Sequence, residues 1–280
     1  MNKEGLVVNA KSSFFYCLVD DEIIECRASK KLKLNKQKII TGDYVVIDMD
    51  QNYIIDIKER FNELKRPLVA NVDASLLVFS AIEPKISYML LDKLILLMED
   101  NNLDINIVIT KMDLLEKEEQ QEIISNLDYY QSLGYNVYYK DRDLDKIKQQ
   151  LVDKKFIFTG QSGVGKSTLI NELIPDVNIK TQEISQALNR GKHTTRELTF
   201  YPYQDGFIID TPGFSSLDLD LSKEKIRDLY IDFYQLSSEC RFNGCYHLKE
   251  PDCNVKKHLG ESKMFDIRYY NCQELQNNKE

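Results

Sequence analysis

Three short stretches of this chain have the residue types and spacing for phosphate and metal chemistry. Gly160-Gln161-Ser162-Gly163-Val164-Gly165-Lys166-Ser167 fits G-x-x-x-x-G-K-[ST]. Glycines at that spacing let the backbone wrap phosphate groups, so that successive N–H groups and a helix N-terminus face negative charge. Lys166 would reach the β- and γ-phosphates, Ser167 would give an oxygen to Mg2+, and Thr168 extends the nucleotide contact. The run follows the apolar Phe156–Thr159 and precedes a helical pattern, which is the context the motif needs. In Ile208-Ile209-Asp210-Thr211-Pro212-Gly213, an apolar strand ends in a carboxylate. Asp210 there would hold Mg2+ through water, and Gly213 would let a backbone N–H approach the γ-phosphate.

Val108–Asp113 reads VITKMD. A carboxylate at Asp113 can accept both N1–H and the N2 amine of guanine, which adenine does not offer. The Lys111 stem can lie along a base plane, with Thr110 closing the strand before it. Such a tetrapeptide also suits a plain strand end followed by a helix cap. Its place after a strand of an α/β pattern favours guanine, because bases lie at strand ends. Gly191-Lys192-His193-Thr194-Thr195 falls between the phosphate loop and Asp210, in a stretch without periodicity. A nucleotide-ordered switch loop belongs there. Thr195, ahead of Thr194, is the candidate to complete a Mg2+ shell. His193 is the candidate catalytic group, with a role in tuning the loop as the alternative. Phe214 stands where many GTPases carry a water-orienting glutamine, so slow intrinsic hydrolysis is expected.

Cys240-x4-Cys245-x-His247-x5-Cys253 gathers thiols and an imidazole, the ligand types of a closed, structural Zn2+ site. His258, separated from Cys253 by four residues, is a rival fourth ligand. Cys17 and Cys26 fall in apolar strand patterns and read as buried small hydrophobes, and Cys272 reads as a helix residue.

The elements that must position these groups follow from periodicity. Gly5–Ala10, Ser13–Val19, Glu22–Ala28, Tyr44–Asp48 and Tyr53–Lys58 read as short strands. Five such strands suit a small OB-type barrel, and a small sandwich nearly as well. Lys30, Lys31, Lys33, Lys36 and Lys38 read as a solvated loop or a local basic patch. From Arg66 strands alternate with helices: Ser75–Ser80, Ser87–Asn101, Ile105–Thr110, Glu116–Leu133, Tyr135–Tyr139, Asp143–Val152, Lys155–Thr159 and Lys166–Leu173. That rhythm predicts a parallel sheet with helices on both faces. Leu198–Tyr203 and Gly206–Asp210 add two strands. The tail reads helix, cysteine cluster, helix, and Lys256, Lys257, Lys263 and Arg268 there suit either phosphate contacts or a solvated face.

The guanine-type loop precedes the phosphate loop, the reverse of the usual order. A sheet cut and rejoined keeps its site, since site geometry follows strands rather than chain order. TKMD, GQSGVGKSTLIN, GKHTT and DTPGF in this order, before a cysteine cluster, resemble the circularly permuted, ribosome small-subunit-dependent GTPases of the RsgA/YjeQ/YloQ family. Arg66–Ser80, RPLVANVDASLLVFS, is similar to that family's entry into its GTPase domain. The resemblance implies a multidomain α/β protein. It would comprise an N-terminal OB-fold β-barrel over 1–65, a circularly permuted P-loop GTPase domain over 66–222 and a C-terminal zinc-binding helical domain over 223–280. It implies GTP and GDP as ligands, Mg2+, one structural Zn2+ held with His247 as fourth ligand, and a monomer. It further implies late action on the small (30S) ribosomal subunit, stimulation by that subunit, and binding to 16S rRNA near the decoding region. Two positions depart from the family pattern. The guanine-carbonyl loop is degenerate near Val137–Lys140, and Lys192 replaces the usual arginine, losing its planar fork.

Composition sets outer bounds. The chain has 280 residues, 42% hydrophobic and 29% charged, with net charge −8. No apolar run reaches the length of a membrane span, and no signal-peptide pattern opens the chain, so a cytoplasmic protein is expected. The acidic excess falls in 66–222, which gives no global signature of a nucleic-acid binder. An ATP-using phosphate-loop enzyme and an RNA-binding module with a relic nucleotide site are the competing functional classes.

Overall fold

A computed structural model describes residues 1–11, 13–174, 198–211 and 219–279. They group into two compact units, one spanning Met1–Ser75, Lys146–Thr159 and Ser167–Pro212, the other Leu76–Asp145, Gly160–Lys166 and Gly213–Glu280.

In the first unit, β1 (Asn2–Lys11), β2 (Phe14–Val19), β3 (Glu22–Ala28), β4 (Tyr44–Asp48) and β5 (Tyr53–Ile57) close into a barrel of order β1-β2-β3-β5-β4. β1 pairs with β2 on one side and β4 on the other, with Leu6 opposite both Leu18 and Tyr44, and a bulge after Val7 bends it. Closure comes from a short parallel pairing of β3 with β5 at Arg27–Tyr53 and Ala28–Ile54. This decides for the barrel over the sandwich. Alternate residues Val45, Ile47 and Ile54 point into a core shared with Val7, Cys17 and Cys26.

The lysine stretch is not the loop its composition suggests. Lys30–Leu34 forms a short helix, α1, capped by the Ser29 hydroxyl, which accepts from the Leu32 N–H. Leu32 is buried in the barrel core while the five lysines stay exposed. A hairpin of β6 (Glu63–Lys65) and β7 (Leu68–Ala70) follows, too short to leave a periodic signal. Arg60 binds the fully buried Asp43 through Nε at 2.6 Å and Nη2 at 2.9 Å, and Asp43 also accepts the Ile40 N–H.

Among the described residues a six-stranded sheet has the order β10-β9-β8-β11-β13-β12. Its strands are β8 (Ala74–Ser80), β9 (Asp104–Thr110), β10 (Asn136–Tyr139), β11 (Lys155–Gly160), β12 (Thr199–Tyr203) and β13 (Gly206–Asp210). β9 and β10 run parallel, as do β11 and β13, whereas β12 returns antiparallel on β13. Every residue of β8 and of β11 is buried, as strands covered on both faces require. The linking helices are α2 (Tyr88–Glu99), α3 (Lys117–Ser132), α4 (Lys140–Gln150) and α5 (Lys166–Leu173). α4 starts three residues before the predicted Asp143. That residue instead breaks its helical geometry (φ −114°, ψ 16°), and its carboxylate accepts the Tyr139 N–H at 3.0 Å.

The second unit ends in α6 (Lys223–Leu229), α7 (Ile231–Ser237), α8 (Asn254–Lys257) and α9 (Lys263–Asn277). Arg268, read from sequence as a phosphate contact or a solvated residue, is neither. Its side chain is 1% exposed and lies between Asp92 of α2 and Asp232 of α7. Nη1 donates to Asp92 at 2.5 Å, and Nε and Nη2 donate to Asp232 at 2.8 and 3.0 Å. Tyr130 of α3 and Asn271 of α9 donate to Asp92, and Tyr129 donates to Asp232. Burial works against the charge on Arg268, but the two carboxylates outweigh it and hold the guanidinium charged. Lys263 pairs with Glu122 at 2.6 Å, and Lys256 donates to the Glu250 carbonyl at 2.6 Å. No helix of the described residues is long and apolar enough to cross a membrane.

Replacing Arg268 with methionine strands two buried carboxylates. Arg268→Met is expected to lower the unfolding free energy by about 3–5 kcal/mol, measured by urea denaturation. A change below about 1 kcal/mol would show that water reaches the network.

Candidate nucleotide and metal sites

β9 ends at Thr110, whose buried hydroxyl lies 2.5 Å from the Val164 carbonyl and 3.3 Å from that of Phe79. Its one proton serves the shorter contact. Lys111 then adopts a left-handed backbone (φ 59°), and its Nζ donates to the Gly163 carbonyl at 2.9 Å and to the Glu83 carbonyl. Two adjacent side chains of the guanine-type loop therefore hold two adjacent carbonyls of the phosphate loop. Asp113 follows on a 3-10 turn, Met112–Leu114, in which Met112 is buried and Asp113 is exposed. Glu83 was not legible as a partner, because a backbone carbonyl leaves no sequence signal.

The phosphate loop leaves β11 at Gly160, where a Cβ would come within 2.1 Å of the Val78 carbonyl. Gly163 and Gly165 have φ of 82° and 89°, the region that favours glycine. Val164 is buried and roots the loop, whereas Ser162, Gly163, Ser167 and Thr168 are exposed; Gln161, Gly165 and Lys166 are partly covered. Lys166 opens α5. Asp210 closes β13, paired in register with Phe158 of β11. Next to it, the Thr211 hydroxyl and N–H both donate to the Phe158 carbonyl, at 2.8 and 3.2 Å. His193, Thr194, Thr195, Lys192, Gly213 and Phe214 lie outside the described residues.

At the expected guanine-carbonyl position, Val137–Tyr139 complete β10 and Lys140 begins α4. Asp143 takes the Tyr139 N–H, and the Arg142 guanidinium stacks 4.1 Å from the Tyr139 ring centre. A helix start stands where a serine-alanine loop is usual.

The structure brings Cys240, Cys245, His247 and Cys253 together, with ligand atoms all within 4.8 Å of one another. His247 Nδ1 lies 3.8 Å from Cys240 Sγ and 3.3 Å from Cys253 Sγ, and the two sulfurs are 3.9 Å apart. Tetrahedral ligation with Zn–S near 2.3 Å and Zn–N near 2.0 Å requires separations of about 3.5–3.8 Å, so this donor set fits such an ion. Burial pushes the Cys245 thiol up to about 12 and raises Cys253 as well, while it lowers His247. The imidazole is thus held neutral, its ligand form, and a cation is what would hold the thiols deprotonated.

Surrounding groups orient these ligands. The Asn254 N–H points at Cys240 Sγ at 3.3 Å, and the Tyr269 hydroxyl donates to the His247 carbonyl at 2.7 Å. Glu250 accepts the N–H groups of Tyr246 and Leu248, both at 2.8 Å, and so clasps the backbone on either side of His247. The rival His258 is engaged elsewhere, its Nδ1 2.9 Å from Glu261.

Motif order, sheet order and the bonds between the two loops define a circularly permuted phosphate-loop nucleotide-binding protein with an N-terminal barrel. Comparison with known proteins carries this further. The family described as RsgA GTPase matches residues 57–220, and the RsgA N-terminal domain matches 4–54. The chain is 42% identical to the small ribosomal subunit biogenesis GTPase RsgA of Bacillus subtilis, over 95% of this chain and 94% of that protein. It is also 42% identical to the protein of that name from Lactobacillus johnsonii, over 95% and 92%. The crystal structure of YloQ, a circularly permuted GTPase, superposes with a TM-score of 0.78 at 36% identity, covering 100% of this chain and 95% of that one. YjeQ from Thermotoga maritima gives 0.79 at 28% identity, covering 100% and 99%. The chain belongs to the RsgA GTPase family and is a GTP-hydrolysing enzyme.

Thr110→Val keeps the shape of the side chain and removes the proton that tethers Val164. Leaving that buried carbonyl unpaired is expected to weaken GDP binding about tenfold, measured by titration calorimetry. Unchanged affinity would show that Lys111 alone holds the two loops together.

Proposed function

We propose that the chain couples GTP hydrolysis to late assembly of the small (30S) ribosomal subunit, acting as a cytoplasmic monomer that binds 16S rRNA. The observation that carries the guanine-nucleotide reading is the pair of bonds from Thr110 and Lys111 to Val164 and Gly163. They set Asp113 at a fixed offset from the phosphate loop. The subunit reading rests on relatives that share the chain over nearly its whole length and bear the name of small ribosomal subunit biogenesis GTPases.

In this reading Gly160–Gly165, including Gln161, Ser162, Gly163 and Val164, wrap the phosphates with backbone N–H groups. Lys166 holds the β- and γ-phosphates, while Ser167 and Thr168 cover the α- and β-phosphate side. Mg2+, when bound, supplies charge neutralisation between the β- and γ-phosphates. Ser167, Thr195 and, through water, Asp210 would hold it. Gly213 would present its N–H to the γ-phosphate, Lys111 would lie along the base and Asp113 would accept from the guanine edge. His193 is the group assigned to catalysis, a role that Phe214 cannot fill. Zn2+ is the ion for Cys240, Cys245, His247 and Cys253, on the grounds of the ligand set and its spacing. The chain is divided into domains 1–65, 66–222 and 223–280; the end of the RsgA GTPase match at 220 supports the second boundary, whereas that match begins at 57, ahead of the first.

Phosphate release from GTP, measured with purified small and large subunits added separately, tests the central claim. Small subunits are expected to accelerate turnover at least tenfold, and large subunits not at all. Equal stimulation by both would reject the partner, turnover of ATP would reject guanine specificity, and no stimulated release would favour a non-enzymatic RNA-binding module.

Metal analysis tests the second site. The purified protein is expected to hold one equivalent of zinc and Cys253→Ser to lose it, with a fall in thermal midpoint on chelation. Retention of a full equivalent by Cys253→Ser would reject the ligand set.

A further inference from the structure

Asp113 can read guanine only if its carboxylate keeps one pose, and its local backbone is poorly suited to that. The residue sits in a three-residue 3-10 turn, entered through a left-handed lysine and exposed to solvent. The turn's own hydrogen bonds are long: Leu114 N–H to Lys111 at 3.4 Å and Leu115 N–H to Met112 at 3.2 Å. Short 3-10 turns have weak internal bonding geometry.

A side chain outside every motif supplies the missing restraint. Gln120, in the first turns of α3, donates from Nε2 to the Met112 carbonyl at 3.0 Å and to the Leu115 carbonyl at 2.9 Å. These carbonyls flank Asp113 on either side. With two carbonyls facing the amide, the nitrogen end must be the one that meets them, and both of its protons are used. The helix behind Gln120 is itself fixed. Glu116 and Glu119 form a capping box at its start, and Tyr130 further along reaches the buried Asp92.

We propose that Gln120 is a positioning residue for guanine recognition, clamping the turn that carries Asp113. This rests on the reading of Asp113 as the guanine-edge acceptor. Gln120→Glu is nearly isosteric but sets an acceptor against two carbonyls, and Gln120→Ala removes the clamp without new repulsion.

The test is binding of GDP and IDP to the full chain by titration calorimetry, in Gln120→Glu, Gln120→Ala, Asp113→Ala and the double variant Asp113→Ala/Gln120→Ala. IDP keeps the phosphates and N1–H but lacks the N2 amine, so the ratio of the two affinities reports the pose of Asp113. A general loss of folding would weaken both ligands alike. Both Gln120 variants are expected to lower the GDP-over-IDP preference about fivefold to tenfold. Asp113→Ala is expected to abolish it, and the double variant to match Asp113→Ala. If Asp113→Ala removes the preference while neither Gln120 variant changes it, or if the effects add in full, the clamp is rejected and the guanine reading stands. If Asp113→Ala leaves the preference intact, the guanine reading fails and the role of Gln120 with it.

Discussion

A guanidinium removed from water needs acceptors from the protein, and Arg268 finds them in carboxylates of two helices, which side chains of two more helices bind in turn. Its charge meets two carboxylates, Asp92 and Asp232, so the buried set would carry a net negative charge. Burial accordingly pushes the Asp92 carboxyl up, while Arg268 and Asn271 draw it back. Tyr130, Tyr129 and Asn271 supply the remaining donors. Such a cluster is a poor source of net stability compared with an apolar core of equal volume. What it fixes is offset. The planar fork reaches both carboxylates only when α2, α7 and α9 stand at one register, whereas leucines would tolerate sliding. The loops between α7 and α9 that carry the Cys3His cluster inherit that register, and so does α3, through Tyr129 and Tyr130.

The same unit explains why an inverted motif order leaves the nucleotide site intact. Thr110 and Lys111 are more than fifty residues upstream of the carbonyls they bind. Gly160 lies so close to Val78 that any side chain there would collide with the strand preceding α2. These contacts depend on strand ends and close backbone approach, and neither records which end of the chain came first. A loop that reads a base and a loop that binds phosphate need a fixed separation. Direct bonds between them provide it without reliance on the intervening helices.

Legibility from sequence followed the range of the interaction. The phosphate loop, the strand ending in Asp210 and the Cys3His set are written in residue types at fixed spacing, because backbone wrapping and metal ligation admit few alternatives. Periodicity put the barrel only slightly ahead of a sandwich, since closure turns on two residue pairs between β3 and β5, and the family resemblance pointed to the barrel. The lysine stretch hid a helix because one buried residue, Leu32, carries its packing. Arg268 was misread by residue type, although its spacing was informative: Met264, Arg268 and Cys272 recur every four residues on one buried face of α9. A charge on an apolar stripe signals a buried partner, and the partners Asp92 and Asp232 are too far along the chain to be paired by pattern.

Lys111 and His247 show why functional residues can depend on side chains that no motif includes. Each adopts a left-handed backbone, with φ of 59° and 62°, which costs a non-glycine residue about 1 kcal/mol. In that conformation the flanking peptide groups turn away from regular partners, so something else must bind them. A long polar side chain from a nearby segment does so in both places: the Gln120 amide bridges carbonyls around Asp113, and the Glu250 carboxylate bridges N–H groups around His247. The two clasps are complementary in polarity, as their targets demand. Glycine would relieve the strain at either position but would remove the Lys111 amine that binds the Gly163 carbonyl or the imidazole of the Cys3His cluster. The strain is therefore retained, and its compensation falls to residues whose identity is set by backbone geometry.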